Sequence, residues 1–185
     1  MIIGLTGKAG AGKDTVADIL CKRYNFERYA MAKPLKQMLA SVGFTEPPRE
    51  LKESPIPGFN FSWRTAAQRL GTEWGRGLDE DIWLKFAELF IAGKYEQHKN
   101  VVITDIRFPN EEALIKRYFG RLYVVVGRES KLDASAATHI SEIAQFAGPI
   151  SGVIDNSGSI DDLAREIHYS ILELDTVYGF DRKIR

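Results

Sequence analysis

Two spacings of apolar positions alternate along the chain. Short, nearly continuous apolar runs occur at 2–6 (IIGLT), 101–105 (VVITD), 121–126 (RLYVVV) and 151–155 (SGVID). Runs of this length bounded by glycine, aspartate or asparagine predict buried strands, and 27–31 predicts one more. Between them the spacing becomes helical. Val16, Ile19, Leu20 and Tyr24 share a face over 13–24, and Leu35, Met38, Leu39 and Val42 do so between Pro34 and Gly43. Residues 63–71 predict a helix that stops at the glycine-rich GTEWGRG. Residues 80–97 predict a long helix with Ile82, Trp83, Phe86, Phe90 and Ile91 on one side. Pro109 and Gly120 bracket another, and Ser159 with Asp161 and Asp162 caps a last helix reaching about Leu174.

Strands separated by helices predict a mostly parallel sheet covered on both faces. In such folds ligands sit beyond the carboxyl ends of the strands. The segments Gly7–Thr15, Asp105–Phe108 and Asn156–Ser159 all follow strand ends and should gather on one edge. Two stretches fall outside the pattern. Residues 44–61 hold four prolines, a loop of the length used for lids and binding segments. Residues 127–149 are polar, with a short helix expected around 138–147.

The 185 residues suffice for one core, so a single domain is expected over 1–185. The 25 basic and 25 acidic residues cancel, which argues against a protein that coats nucleic acid or an anionic membrane but allows a local basic pocket. One cysteine, Cys21, permits no internal disulfide and reads as a small core residue. The first apolar stretch breaks at Gly4 and Gly7 and lacks a basic leader. Neither a signal peptide nor a membrane span is expected, and the setting is a reducing cytoplasm.

Chemistry concentrates at the first loop. Gly7, Lys8, Ala9, Gly10, Ala11, Gly12 and Lys13 fit G-x-x-x-x-G-K between a strand and a helix. Such a loop turns backbone N–H groups inward onto phosphate oxygens, the helix N-terminus adds partial positive charge, and Lys13 supplies a mobile ammonium. The pattern departs at Asp14, where serine or threonine would bind Mg²⁺. Aspartate is repelled by phosphate but is a good hard-cation ligand. Either Asp14 holds Mg²⁺, directly or through water, or it caps the helix while the Thr15 hydroxyl bonds a phosphate.

Asp105 ends a strand where a second acid is expected in phosphate-loop proteins, and Arg107 lies two residues on. Arg64, Arg69, Arg76, Arg107 and Arg128 all stand at element ends or in loops, as charge neutralisation in phosphoryl transfer requires. Arg64 and Gln68 lie one helical turn apart. Trp63 and Trp83 read as core, and Trp74 as core or a stacking surface for a base. His139 reads as structural.

Together, GKAGAGKDTVAD, KPLKQML, RTAAQRLGTEWGR, VVITDIRFPNE, THISE and IDNSGSIDDL resemble the deoxynucleoside monophosphate kinases of tailed bacteriophages, in order and over nearly the whole chain. The resemblance implies a three-layer α/β phosphate-loop fold, with a five-stranded parallel sheet, a helical acceptor-binding region at about 33–98 and a short lid at about 127–149. It implies transfer of phosphate from ATP, with Mg²⁺, to a deoxynucleoside monophosphate. Gly7 to Thr15 would cradle the ATP phosphates, and Asn156, Gly158 and Ser159 would lie at the donor adenine. Lys36, Arg64, Gln68, Trp74, Arg76, Asp105 and Arg107 would surround the acceptor, and Arg128 and Lys131 would open the lid. Lys13, Arg107 and Arg128 would carry catalysis. The partners would be small nucleotides, in a host cytoplasm, with a homodimer open as an arrangement of the apolar helix 80–97. The chain is short for that family between the KPLK helix and RTAAQ. The rival readings are a kinase of another small acceptor such as dephospho-coenzyme A, a phosphate-loop ATPase or switch acting on a macromolecule, and a nucleotide-binding module without turnover.

Overall fold

A computed structural model describes residues 1–8, 10–127 and 150–173. Five strands form one sheet in the order β2-β3-β1-β4-β5, with β1 Ile2–Thr6, β2 Phe26–Ala30, β3 Asn100–Thr104, β4 Arg121–Gly127 and β5 Gly152–Asn156. The β1–β3, β1–β4 and β4–β5 ladders are parallel, with Ile3 opposite Val102, Leu5 opposite Tyr123, and Gly127 opposite Asn156. Every residue of β1 is buried, as a central strand covered on both faces requires. The chain divides into two compact units: residues 1–28 with the described residues from His98 onward, and Tyr29–Gln97.

In the first unit the side-chain alternation of β1 sorts the two faces of the sheet. Ile3 and Leu5 join Val16, Leu20, Tyr123, Ile154, Leu163 and Ile167 in one buried cluster. That cluster seats α1 (Lys13–Tyr24) and the last helix of the described chain, Ile160–Ile167, on one face. Gly4 faces the other way, where a Cβ would come within 3.2 Å of Ile115, on the helix Pro109–Arg117. The glycine therefore lets that helix lie close on the strand. Cys21 packs partly buried at the margin of the cluster, and burial pushes its thiol pKa up, consistent with a packing role.

The second unit holds α2 (Lys33–Ser41), α3 (Trp63–Gln68) and α4 (Ile82–Glu96). With these, the helices of the first unit after α1 are α5 (Pro109–Arg117) and α6 (Ile160–Ile167). The sequence ends the third helix at its glycines, but the chain stays helical through them as a wider π-type segment, Arg69–Arg76. Trp83 supplies the reason. Its indole N–H donates to the Gly71 carbonyl at 2.8 Å, and a Cβ on Gly75 would stand 2.4 Å from its ring. Small residues are needed there so that the ring can lie on the backbone. The buried face of α4 is Trp83, Leu84, Ala87 and Ile91, while Phe86 points outward, which corrects the apolar face assigned from spacing.

The proline-rich stretch 44–61 is organised internally. Phe44, Phe59 and Phe61 pack with ring centroids 5.1 to 5.7 Å apart. The Trp63 indole donates to the Phe44 carbonyl at 3.0 Å, tying the start of the stretch to α3. Among the described residues no helix is long and apolar enough to cross a membrane.

Candidate phosphate-transfer site

The loop between β1 and α1 leaves the sheet where β1 has β3 on one side and β4 on the other, the switch point at which open parallel sheets bind ligands. Gly12 precedes α1 with φ +99°, in the left-handed region, and no side chain caps the helix. The first-turn N–H groups of α1 are thus left for an anion. Lys13 folds back over the loop, its Nζ donating to the carbonyls of Gly7 at 2.8 Å and Lys8 at 3.0 Å. Burial pushes the Lys13 ammonium pKa down, Asp105 pulls it up, Arg107 lowers it and Asp14 raises it. A phosphate arriving here would meet a partly desolvated ammonium, where charge attraction is stronger than in open water. Gly7 is held against β4, since a Cβ there would stand 2.4 Å from the Val125 carbonyl oxygen. Ala9 lies outside the described residues.

Asp105 follows β3 with φ +66°, an unusual backbone state for a residue other than glycine. The turn it starts is fastened twice. The Thr6 hydroxyl donates to the Ile106 carbonyl at 2.8 Å, and the buried Glu111 carboxylate accepts the N–H groups of Arg107 at 2.7 Å and Phe108 at 3.1 Å. Thr6 ends β1 and Glu111 lies in the first turn of α5, so strand and helix together fix the turn that carries Asp105 and Arg107, whose charges act on Lys13. Glu111 was missed in the sequence. An acid three residues after a helix start is a known capping signal, and FPNE carries it.

Asp14 stands in the first turn of α1 with its carboxylate exposed, and its Oδ1 meets Nη2 of Arg28. Nη1 of the same guanidinium donates to Asp18 Oδ1 at 3.2 Å. Arg28 lies on β2 and offsets the acid that would otherwise repel a polyphosphate. Asp14 and Asp18 are one helical turn apart, but nothing in the pattern says which cation they share. The donor set suits a hard cation: Oδ2 of Asp14 takes no hydrogen bond among the described residues, and oxygen is the ligand Mg²⁺ takes. Thr15, the alternative phosphate contact, is half-buried. Among the described residues no group of three or more His, Cys, Asp or Glu could hold a metal by itself.

At the end of β5, the Asn156 amide donates to the Ala11 carbonyl at 3.0 Å. Ser159 and Asp162 form a reciprocal cap at the start of α6: the Ser159 N–H reaches Asp162 Oδ2 at 2.9 Å, and the Asp162 N–H reaches Ser159 Oγ at 3.2 Å. Gly158 lies so close to Asp162 that a Cβ there would stand 2.8 Å from the Asp162 Cβ. The three segments that follow β1, β3 and β5 are therefore joined along one edge of the first unit, as their positions in the sequence require.

Lys36, Arg64, Gln68, Trp74 and Arg76 all belong to the second unit. Lys36 Nζ lies 2.9 Å from Glu46, which also pairs with Lys52. Burial pushes the Glu46 carboxyl pKa up, but the hydrogen bonds of Lys52 and Lys36 outweigh it, and the group titrates below its ordinary value. Arg64 pairs with Glu53, and Arg76 donates to the Glu80 carbonyl at 3.1 Å. Arg64 and Gln68 share α3, with Gln68 exposed. Trp74 is 45% exposed, so it does not fill core. Trp63 and Trp83 are buried. Arg128, Lys131, His139 and the lid segment 128–149 lie outside the described residues.

A family model described as deoxynucleotide monophosphate kinase matches residues 1–54 and 51–167. A protein of Acanthamoeba polyphaga mimivirus, whose name assigns it provisionally to those kinases, is 33% identical over 159 aligned positions, covering 77% of this chain and 81% of its own. The deoxynucleoside-5′-monophosphate kinase of Escherichia phage T5 is 28% identical over 252 positions, covering 97% of this chain and 99% of its own. That alignment is longer than the 185 residues here, so the phage protein carries inserted segments that this chain lacks. Among solved structures, dephospho-CoA kinase from Campylobacter jejuni aligns at TM-score 0.54 with 14% identity, covering 96% of this chain and 98% of its own. Shikimate kinase from Aquifex aeolicus aligns at 0.52 with 15% identity, covering 97% and 100%. At such identities the likeness is one of fold, the phosphate-loop kinase sheet with its flanking helices. The match of the family model, over residues 1–54 and 51–167, places the chain in the deoxynucleotide monophosphate kinase family.

Proposed function

We propose that this chain transfers the terminal phosphoryl group of Mg-ATP to the 5′-phosphate of a deoxynucleoside monophosphate, giving ADP and the deoxynucleoside diphosphate. The observation that carries the reading is a glycine loop over which Lys13 folds back, at a helix N-terminus with no side-chain cap. Phosphoryl transfer asks little covalent chemistry of a protein; it asks for positioning and for cations around the transferring group. Gly7 to Thr15 hold the donor phosphates, Lys13 spans the outer ones, and Arg107 and Arg128 neutralise the group in transit. Mg²⁺, when bound, neutralises the donor oxygens, and Asp14 is the residue that would hold it. Of the residues assigned to the acceptor, Lys36, Arg64, Gln68, Trp74 and Arg76 belong to the second unit and Asp105 and Arg107 to the first. The substrates are small nucleotides, the setting is the cytoplasm of the host, and the whole chain works as one kinase domain.

A coupled ADP-release assay with Mg-ATP tests this against dAMP, dGMP, dCMP, dTMP, the ribonucleotides and dephospho-coenzyme A, with products separated by chromatography. We expect a deoxynucleoside diphosphate from one or more acceptors, and a loss of about 10²-fold or more in kcat for Lys13→Ala and Arg107→Ala. ADP release that is equal with and without every acceptor would overturn the kinase reading in favour of an ATPase.

A further inference from the structure

The adenine position implied for Asn156 does not agree with what its side chain does. Its amide nitrogen points at the Ala11 carbonyl, 3.0 Å away, across 145 residues of sequence. A carbonyl oxygen can only accept, so the contact requires the N–H side of the amide. The same nitrogen lies 1.9 Å from where a Cβ on Gly12 would be, so the amide fills the space that the glycine leaves open. Gly127, opposite Asn156 in the β4–β5 ladder, closes the seat: a Cβ there would stand 3.2 Å from the Cα and carbonyl oxygen of Ala11. Ala11 is buried, and its own N–H is taken by the Lys8 carbonyl at 3.1 Å.

Peptide planarity turns this contact into a statement about phosphate. The Ala11 carbonyl and the Gly12 N–H belong to one trans peptide, so they point in opposite directions. Holding the carbonyl towards β5 fixes the Gly12 N–H to face away from it. That N–H takes no hydrogen bond among the described residues, and it belongs to the loop whose N–H groups are to meet phosphate. We propose that Asn156 is a positioning residue of the donor site, which clamps the Ala11–Gly12 peptide so that the Gly12 N–H is aimed at the donor phosphates, and that it does not read the donor base. The inference rests on the reading of Gly7 to Thr15 as the donor phosphate site.

The test uses inorganic tripolyphosphate, which has phosphates and no base, beside ATP and GTP. Binding to the full chain with Mg²⁺ is followed by calorimetry for the wild type and Asn156→Ala. Kinetics give KM for ATP and for the acceptor. We expect tripolyphosphate, ATP and GTP to weaken by one common factor of about three to ten, with the ATP-to-GTP ratio and the acceptor KM unchanged. A loss confined to ATP, or an altered ATP-to-GTP ratio, would overturn the inference and return Asn156 to the base. So would unchanged affinity for all three, or a wild type that does not bind tripolyphosphate. If Asn156→Ala melts well below the wild type without ligand, Asn156→Leu, similar in size and lacking the donor, decides by the same criteria. Phosphate binding as expected without diphosphate product would sink the proposed reaction and leave this inference standing.

Discussion

Asp14 is the residue at which the chain departs from the commonest phosphate-loop pattern, and Arg28 makes the departure tolerable. A bare carboxylate beside a polyphosphate costs affinity, whereas one that shares a guanidinium has part of its charge offset while keeping an oxygen for a cation. Asp14→Asn removes the charge and keeps the shape. We expect it to raise the Mg²⁺ concentration for half-maximal activity by about tenfold. An unchanged Mg²⁺ dependence, accompanied by a lower melting temperature, would make Asp14 a helix cap only. The lysine, the acid at the end of β3 and the arginine two residues later were all legible, because each is fixed by spacing from a strand end. Arg28 and Asn156 were not legible in their roles. Their partners lie across the sheet, and no local pattern records which side chain meets Asp14 or the Ala11 carbonyl.

Two of the helices that frame the site, α5 and α6, are fastened at their first turn. Glu111 gives α5 a buried carboxylate that holds two N–H groups of the Asp105–Phe108 turn. Glu111→Ala would leave both donors unpaired, and we expect a cost of about 2 kcal/mol by denaturant unfolding, with the turn that carries Arg107 losing its anchor. An unfolding midpoint within error of the wild type would show that water replaces the carboxylate without loss. In α6, hydrogen bonds from Ser159 and from Arg165 lower the Asp162 pKa from 3.8 to about 2. A carboxyl lowered in this way stabilises the fold at every pH above its unfolded value, and the contribution drains away as pH falls from 3.8 towards 2. Melting curves of the wild type and Asp162→Ala should therefore differ by a constant amount above about pH 5 and converge as pH falls towards 2. A gap that persists into acid would assign the effect to packing. Most of these elements could be read from periodicity, since strands buried on both faces and helices with one apolar face carry strong patterns. The exceptions are physical. GTEWGRG looks like a helix stop until Trp83 is seen resting on its backbone, and the outward Phe86 follows an arc of α4 that only the packed unit defines.

For the molecule as a whole, equal numbers of acidic and basic residues leave no net charge, so attraction of a polyphosphate falls to local cations: Lys13, Arg28 and Arg107. Sheet order matters more. The strand that leads into the phosphate loop is the first in the sequence, and its neighbours β3 and β4 come about a hundred residues later. The side chain that seats the loop comes later still, on β5. Contacts so far apart in sequence form slowly and require the intervening chain. A ribosome making this protein thus exposes the glycine loop 145 residues before the side chain that seats it. We expect nascent chains halted before residue 150 to show no retention on immobilised ATP, and chains that have released β5 to be retained. Retention of the shorter chains would mean that the loop holds its shape unaided. The glycine loop is in that sense a property of the finished sheet, since a nascent chain without β5 lacks the side chain that seats it.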